Sequence, residues 1–226
     1  MTAPVLAGDS ICVALGGRQI LQAAYVDAVP GAITALVGRS GSGKTTLFNV
    51  LVGRRRPDRG QVRWLGTRLQ RPSLPYLGKS GLFFHPDCPW LASHLSFAQH
   101  IAMTSVNDWA AIAEHFQITA WLTRAVGSLS EGELRLTELA FGFALSPMVA
   151  LLDEPFRGLE PLHRERVVHI LHEYAQRGTA ILYADHDVEA VRQTADRLFS
   201  MEHGATRPVA GFKDRPLTEW YHAWPR

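Results

Sequence analysis

Nine consecutive residues, Gly38-Arg39-Ser40-Gly41-Ser42-Gly43-Lys44-Thr45-Thr46, carry the clearest chemistry in this 226-residue chain. They fit the phosphate-loop pattern G-x-x-x-x-G-K-[ST] without a mismatch. The glycines let backbone N–H groups turn inward around phosphates with no Cβ in the way. The Lys44 ammonium suits β and γ phosphates, and the Thr45 hydroxyl suits Mg²⁺. Upstream, Ile33-Thr34-Ala35-Leu36-Val37 is a short apolar run that reads as a buried strand. Downstream, Thr46 to Val52 reads as a helix stopped at Gly53, whose N-terminal dipole adds to the anion site. Strand, loop and helix in that order point to a bound nucleoside triphosphate.

A second cluster lies in the other half of the chain. Val149-Ala150-Leu151-Leu152-Asp153-Glu154-Pro155 reads as a buried strand ending in two carboxylates. A carboxylate at a strand end opposite a phosphate loop can hold Mg²⁺, which suits Asp153. Glu154 then stands where it can polarise an attacking water. About twenty residues upstream is Leu129-Ser130-Glu131-Gly132-Glu133 before a helical run, and downstream Ala180 to Ala184 reads as a strand ending at Asp185-His186-Asp187.

This order of motifs resembles the ATP-binding cassette (ABC) transporter ATPase family from about Gly16 to Gly204. The resemblance implies an α/β fold: a P-loop NTPase core with a mainly parallel sheet, an N-terminal antiparallel β subdomain and an inserted helical lobe. It implies ATP and Mg²⁺ as ligands, with Lys44, Glu154 and His186 catalytic and His186 at the switch histidine. Residues 38–46 would bind ATP, and Thr45 with Asp153 would hold the metal. Ser130 and Gly132 fall at the family signature, usually LSGGQ, and would face ATP held by a second subunit. Hydrolysis would power solute transport, with import favoured. Implied partners are transmembrane permease subunits and a second ABC ATPase in a homodimer or heterodimer. The expected place is the cytosol, peripheral on the inner face of the cell membrane.

The chain also departs from the family pattern. Where the family has a Gln after an apolar strand, the residues are Phe83-Phe84-His85-Pro86. His85 in that Gln's place would lie near Mg²⁺, the nucleotide and the attacking water, although Mg²⁺ prefers oxygen ligands. It either alters turnover or stands as a tolerated change. In the signature, Glu131 replaces a Gly and Glu133 the Gln. Ser130 to Glu133 also has the form of a capping box, which gives Glu133 a structural reason. Glu131 adds like-charge repulsion beside a phosphate unless it turns to solvent or to an Arg. Glu160 stands where the family has Asp. Leu15 replaces the aromatic that stacks on adenine, so apolar contact alone would hold the base.

The elements that must position these groups are legible in outline. Ser10 to Leu15 and Ala23 to Val29 read as strands around the turn Gly16-Gly17, and Gln61 to Leu65 as another closed by Gly66. Leu82-Phe83-Phe84 is a short apolar run. Between about Ser93 and Leu145 the pattern is helical, with Asn107-Asp108 able to cap Trp109 to Phe116. Pro161 opens a helix through Tyr174 that stops at Gly178. Strands alternating with helices argue for a mainly parallel sheet covered on both faces. The expected organisation is one domain over 1–226, with 1–82 and 146–226 as core and 83–145 as helical lobe.

Composition sets bounds on this reading. A chain of 226 residues, 46% hydrophobic, can bury a full core. No apolar run approaches the roughly eighteen residues needed to span a membrane, and the N-terminus lacks the form of a signal peptide. Cys12 and Cys88 are too few for a disulfide scaffold. A net charge of +2 does not argue for nucleic acid, and Arg54-Arg55-Arg56 reads as a solvated loop. The resemblance implies that the zone around Phe83 to Leu91 lines a groove for a helix of the membrane subunit, with Trp90, flanked by prolines, as its contact; Trp220, Tyr221 and Trp224 are open to the same use or to burial under a tail helix. Two other classes stay open: a soluble ABC ATPase acting on nucleic acid, and a catalytically weak nucleotide-binding regulatory subunit paired with an active paralogue.

Overall fold

The computed structural model of the chain describes residues 2–106 and 109–214. It begins with β1 (Leu6–Leu15) and β2 (Arg18–Ala28), an antiparallel hairpin. Both strands outrun their β-branched stretches, because pairing continues through Leu6, Ala7 and Gly8, whose intrinsic strand preference is weak. Next come β3 (Ile33–Val37) and α1 (Lys44–Leu51), then β4 (Arg59–Trp64) and β5 (Thr67–Leu69), a hairpin whose second strand is too short and polar to announce itself. α2 (Leu74–Lys79) leads into β6 (Leu82–His85). The helices α3 (Phe97–Ala102), α4 (Trp109–His115) and α5 (Glu131–Ala144) all fall between β6 and β7 (Val149–Asp153). α6 (Pro161–Gln176), β8 (Ala180–Asp185), α7 (Val188–Thr194), β9 (Arg197–Glu202) and β10 (Ala205–Pro208) complete the order. Asn107, Asp108, Trp220, Tyr221 and Trp224 lie outside the described residues.

Two sheets result. Four antiparallel strands run in the order β2-β1-β4-β5, and six strands in the order β10-β9-β3-β8-β7-β6, parallel except for β10. The central strands β3, β7 and β8 are buried along their whole length, as unbroken apolar runs require. Their side chains alternate between two cores. Ala150, Leu152, Ile181 and Tyr183 join the helices α5, α6 and α7 on one face. Val149, Leu151, Leu182 and Ala184 join α1 and the antiparallel sheet on the other.

One contact fixes how the inserted helices meet the sheet. Gly142 of α5 lies flat on the Phe83 ring of β6; a Cβ there would stand 2.0 Å from the ring carbon Cζ. Phe83 also meets Phe143 edge-on at 5.8 Å, an arrangement favoured by the ring quadrupoles.

Candidate functional site

The parallel register sets the site. Val37 pairs with Asp185 and Asp153 with Ala184, so the carboxyl ends of β3, β8 and β7 reach one edge together. Ligands of open α/β sheets bind at that edge. The loop after β3, Asp153-Glu154 after β7 and Asp185-His186 after β8 are thereby gathered from three distant stretches of sequence.

The loop 38–43 is held close to its surroundings. A Cβ on Gly38 would stand 2.6 Å from both the Met201 carbonyl oxygen and the Ser42 hydroxyl. Gly43 caps α1 with φ +114°, a left-handed conformation that a larger residue resists. Lys44 is buried, and its Nζ donates to the carbonyls of Gly38 at 2.6 Å and Arg39 at 3.2 Å. Burial lowers its pKa, while Glu154, Asp153 and Asp185 pull the other way. The cation is thus parked on loop carbonyls that a phosphate can replace. Thr45 stays exposed on the same turn.

Asp153 is 1% exposed, and neither carboxylate oxygen has a hydrogen-bond partner of ordinary geometry. Desolvation pushes its pKa up to about 6; the nearby Thr45 hydroxyl acts to lower it, and Asp87 and Glu154 add to the rise. A buried carboxylate without partners is costly unless a cation arrives. A hard divalent ion between a carboxylate and a hydroxyl suits this donor set, so the residues present fit Mg²⁺.

Glu154 continues the ladder one residue past β7, its N–H donating to Ala184 O at 2.8 Å, but with φ +51°. A non-glycine residue in that region costs about 1–2 kcal/mol, and such strain gathers at functional positions. His186 is exposed, with Nδ1 3.5 Å from Glu154 Oε1 and 3.6 Å from Asp185 Oδ1. Asp185 caps the turn, its Oδ1 accepting from the N–H groups of His186 at 2.7 Å and Asp187 at 2.9 Å, while Oδ2 is buried without a partner. Sequence reasoning gave Asp185 no role, although its place directly before His186 was a visible signal.

His85 departs from its expected place. It is fully buried, with Nε2 3.2 Å from Glu138 Oε2 and Nδ1 3.2 Å from Arg135 Nη1. Arg135 Nη1 also lies 3.3 Å from Nε2, so the guanidinium and the Glu138 carboxylate together enclose the ring. Both nitrogens are occupied by residues of α5, so neither is offered to Mg²⁺, water or nucleotide. Desolvation is the main cause of its lowered pKa. Trp90 departs in the same direction. Its backbone N–H donates to Glu138 Oε1 at 2.8 Å, and its ring packs on Phe83 and Phe141. Much of Trp90 belongs to the packing of α5 rather than to a free face.

At the start of α5 the capping box is formed. Ser130 Oγ accepts from the Glu133 N–H at 3.2 Å, and Glu133 Oε2 accepts from the Ser130 N–H at 2.8 Å. Gly132 packs on the segment after β7, where a Cβ would come within 2.9 Å of Gly158 O. Glu131 turns toward Arg157, Oε1 to Nε 3.3 Å. Leu15 ends β1 as an exposed apolar side chain, and Arg54 of the exposed basic run lies 4.9 Å over the Phe84 ring. Sequence reasoning missed Asp87, Arg135, Glu138 and Arg157, whose partners are remote in sequence or invisible to spacing.

Comparison with known proteins gives the chain its family. The family profile described as ABC transporter matches residues 21–157. The chain is 30% identical to the zinc import ATP-binding protein ZnuC of Halorhodospira halophila, over 89% of this chain and 75% of the relative. It is 31% identical to the hemin import ATP-binding protein HmuV of Gloeobacter violaceus, over 96% of this chain and 85% of the relative. A lipopolysaccharide export system ATP-binding protein, LptB of Acidithiobacillus ferridurans, is 26% identical over 83% of this chain and 82% of its own length. The fold matches a solved ATP-binding subunit of an ABC transporter with TM-score 0.84 and 20% identity, covering 97% of this chain and 98% of that one.

Proposed function

From its membership of the ABC transporter family, which makes this chain an ATP hydrolase, we propose that it drives solute import across a membrane, using the edge formed by β3, β7 and β8 as its nucleotide site. The observation that carries the site assignment is Asp153: buried, unpartnered and flanked by Lys44, Thr45 and Glu154. Import rests on the zinc and hemin import relatives. The partners proposed with it are permease subunits, on the cytosolic face of the membrane, and a second ATP-binding copy or paralogue. No helix among the described residues is long and apolar enough to cross a membrane.

In the proposed reaction, the loop amides of residues 38–46 hold the phosphates and Lys44 leaves the carbonyls of Gly38 and Arg39 for the β and γ oxygens. Thr45 and Asp153 would hold Mg²⁺, which neutralises charge on those phosphates when bound. Glu154 orients the attacking water and draws its proton, a role supported by its strained backbone directly after the metal carboxylate. His186 leaves its place beside Glu154 to contact the γ-phosphate and stabilise the charge that develops there. Leu15 supplies apolar contact to the base. Ser130 and Gly132 reach the nucleotide of the second copy.

The test is Glu154→Gln. Hydrolysis is expected to fall by at least about 10², the worth of a positioned base, with ATP binding retained. Residual turnover above about a tenth of wild type would defeat the assignment. The enclosure of His85 favours one second reading, a slow subunit that depends on a paralogue; wild-type turnover no faster than that of Glu154→Gln would select it.

A further inference from the structure

We propose that Arg157 is a positioning residue for the signature segment, neutralising Glu131 and laying it away from the neighbouring copy's nucleotide. The inference rests on the proposed pairing of two copies around ATP. Ser130 and Gly132 open α5, and Glu131 between them puts a carboxylate where phosphate oxygens are to arrive. At short range two such anions repel strongly in a closed, water-poor interface.

The structure answers that charge locally. The Glu131 stem lies along the segment after β7, so that a Cβ on Gly158 would stand 2.7 Å from Glu131 Cγ. Its Oε1 is 3.3 Å from Arg157 Nε. Arg157 Nη1 simultaneously donates to Asp87 Oδ1 at 2.7 Å, and Arg135 Nη2 approaches the same oxygen at 3.8 Å. Two carboxylates and two guanidiniums thus form a cluster without net charge. Asp87 follows β6, Glu131 opens α5 and Arg157 follows β7, so the guanidinium fixes three segments at once. Gly158 completes the arrangement by leaving room for the Glu131 side chain.

A pair exposed in the lone chain contributes little there; its use comes when a second copy closes over it. Removing Arg157 leaves Glu131 free to turn toward the incoming phosphates. The ATP affinity of the lone chain depends on residues 38–46 and is expected to stay within about twofold.

The experiment measures self-association by light scattering with Mg²⁺ and a β,γ-imido analogue of ATP. The proteins are wild type, Arg157→Ala, Glu131→Gln and the double variant, with analogue binding at low protein concentration as the control. Arg157→Ala should weaken association by up to about fivefold, the upper end for one lost ion pair. Glu131→Gln alone should associate as well as wild type or better. Adding Glu131→Gln to Arg157→Ala should restore association, which a merely structural loss would not allow. Raising salt to about 0.5 M should narrow the Arg157→Ala defect. If Arg157→Ala associates like wild type, or the double variant stays as weak as Arg157→Ala, the inference is wrong. If wild type itself does not associate with the analogue, the two-copy reading fails and takes the inference with it.

Discussion

Asp153 and His85 are buried ionisable residues whose environments push stability in opposite directions with pH. Burial raises the Asp153 pKa to about 6 from 3.8, so the folded chain binds that proton more tightly than the unfolded one. The stability linked to it is complete below pH 3.8 and is lost as pH rises through about 6. A displacement of that size corresponds to about 3 kcal/mol. Asp153→Asn should therefore stabilise the nucleotide-free protein above pH 7 by up to about that amount and change little near pH 4. Denaturant titrations at the two pH values check this, and equal effects at both would remove the buried charge as the cause. For His85 the sign reverses: its lowered pKa gives stability present above the ordinary value of 6.5 and lost as pH falls. His85→Gln should flatten that acidic loss while leaving the acidic limb of kcat unchanged, because the ring does not face the nucleotide edge. A changed limb in the rate profile would return His85 to the reaction. The gathering of Lys44, Asp153, Glu154 and His186 at one edge was legible because each ends a strand or comes within seven residues after one. His85 was not, because Arg135 and Glu138 lie fifty and more residues away and nothing local announces their grip.

At the scale of elements, helices announced themselves by caps and stops. The Ser130–Glu133 box opens α5, Pro161 opens α6, and Gly178 follows it in the left-handed conformation. The continuous apolar runs of β3, β7 and β8 were legible for the same reason that they are buried on both faces. β5 and the short helices α2 and α3 were not, since three to six residues carry too little periodicity against tertiary packing. Nor did sequence show that α5 approaches β6 closely enough to need Gly142. Gly142→Ala should force the Phe83 ring aside and cost about 1–3 kcal/mol, as overpacked cores do. For a chain of this size each kcal/mol lowers the melting temperature by about 2–4 °C, which calorimetry would read. An unchanged melting temperature would mean that Phe83 swings aside without resistance.

For the whole molecule, the proposed nucleotide site couples to folding. On the proposed assignment Mg²⁺ and ATP bind only the arrangement in which three strand ends meet, so they should raise the melting temperature with concentration. At a hundred times Kd the gain is about 2.7 kcal/mol. Lys44→Ala should lose most of that shift while melting near wild type without nucleotide. A full shift in Lys44→Ala would place the triphosphate elsewhere.

The contact of Gly142 with Phe83 also sets a mechanical ratio. Gly132 and Gly142 are ten residues apart on one continuous helix, about 15 Å along its axis. With Phe83 as the fulcrum, a tilt of about 10° swings the far end of that arm by about 3 Å. Such a stroke is as long as a hydrogen bond, so a tilt of about 10° at one aromatic ring suffices to engage or release Ser130 and Gly132 from whatever faces them.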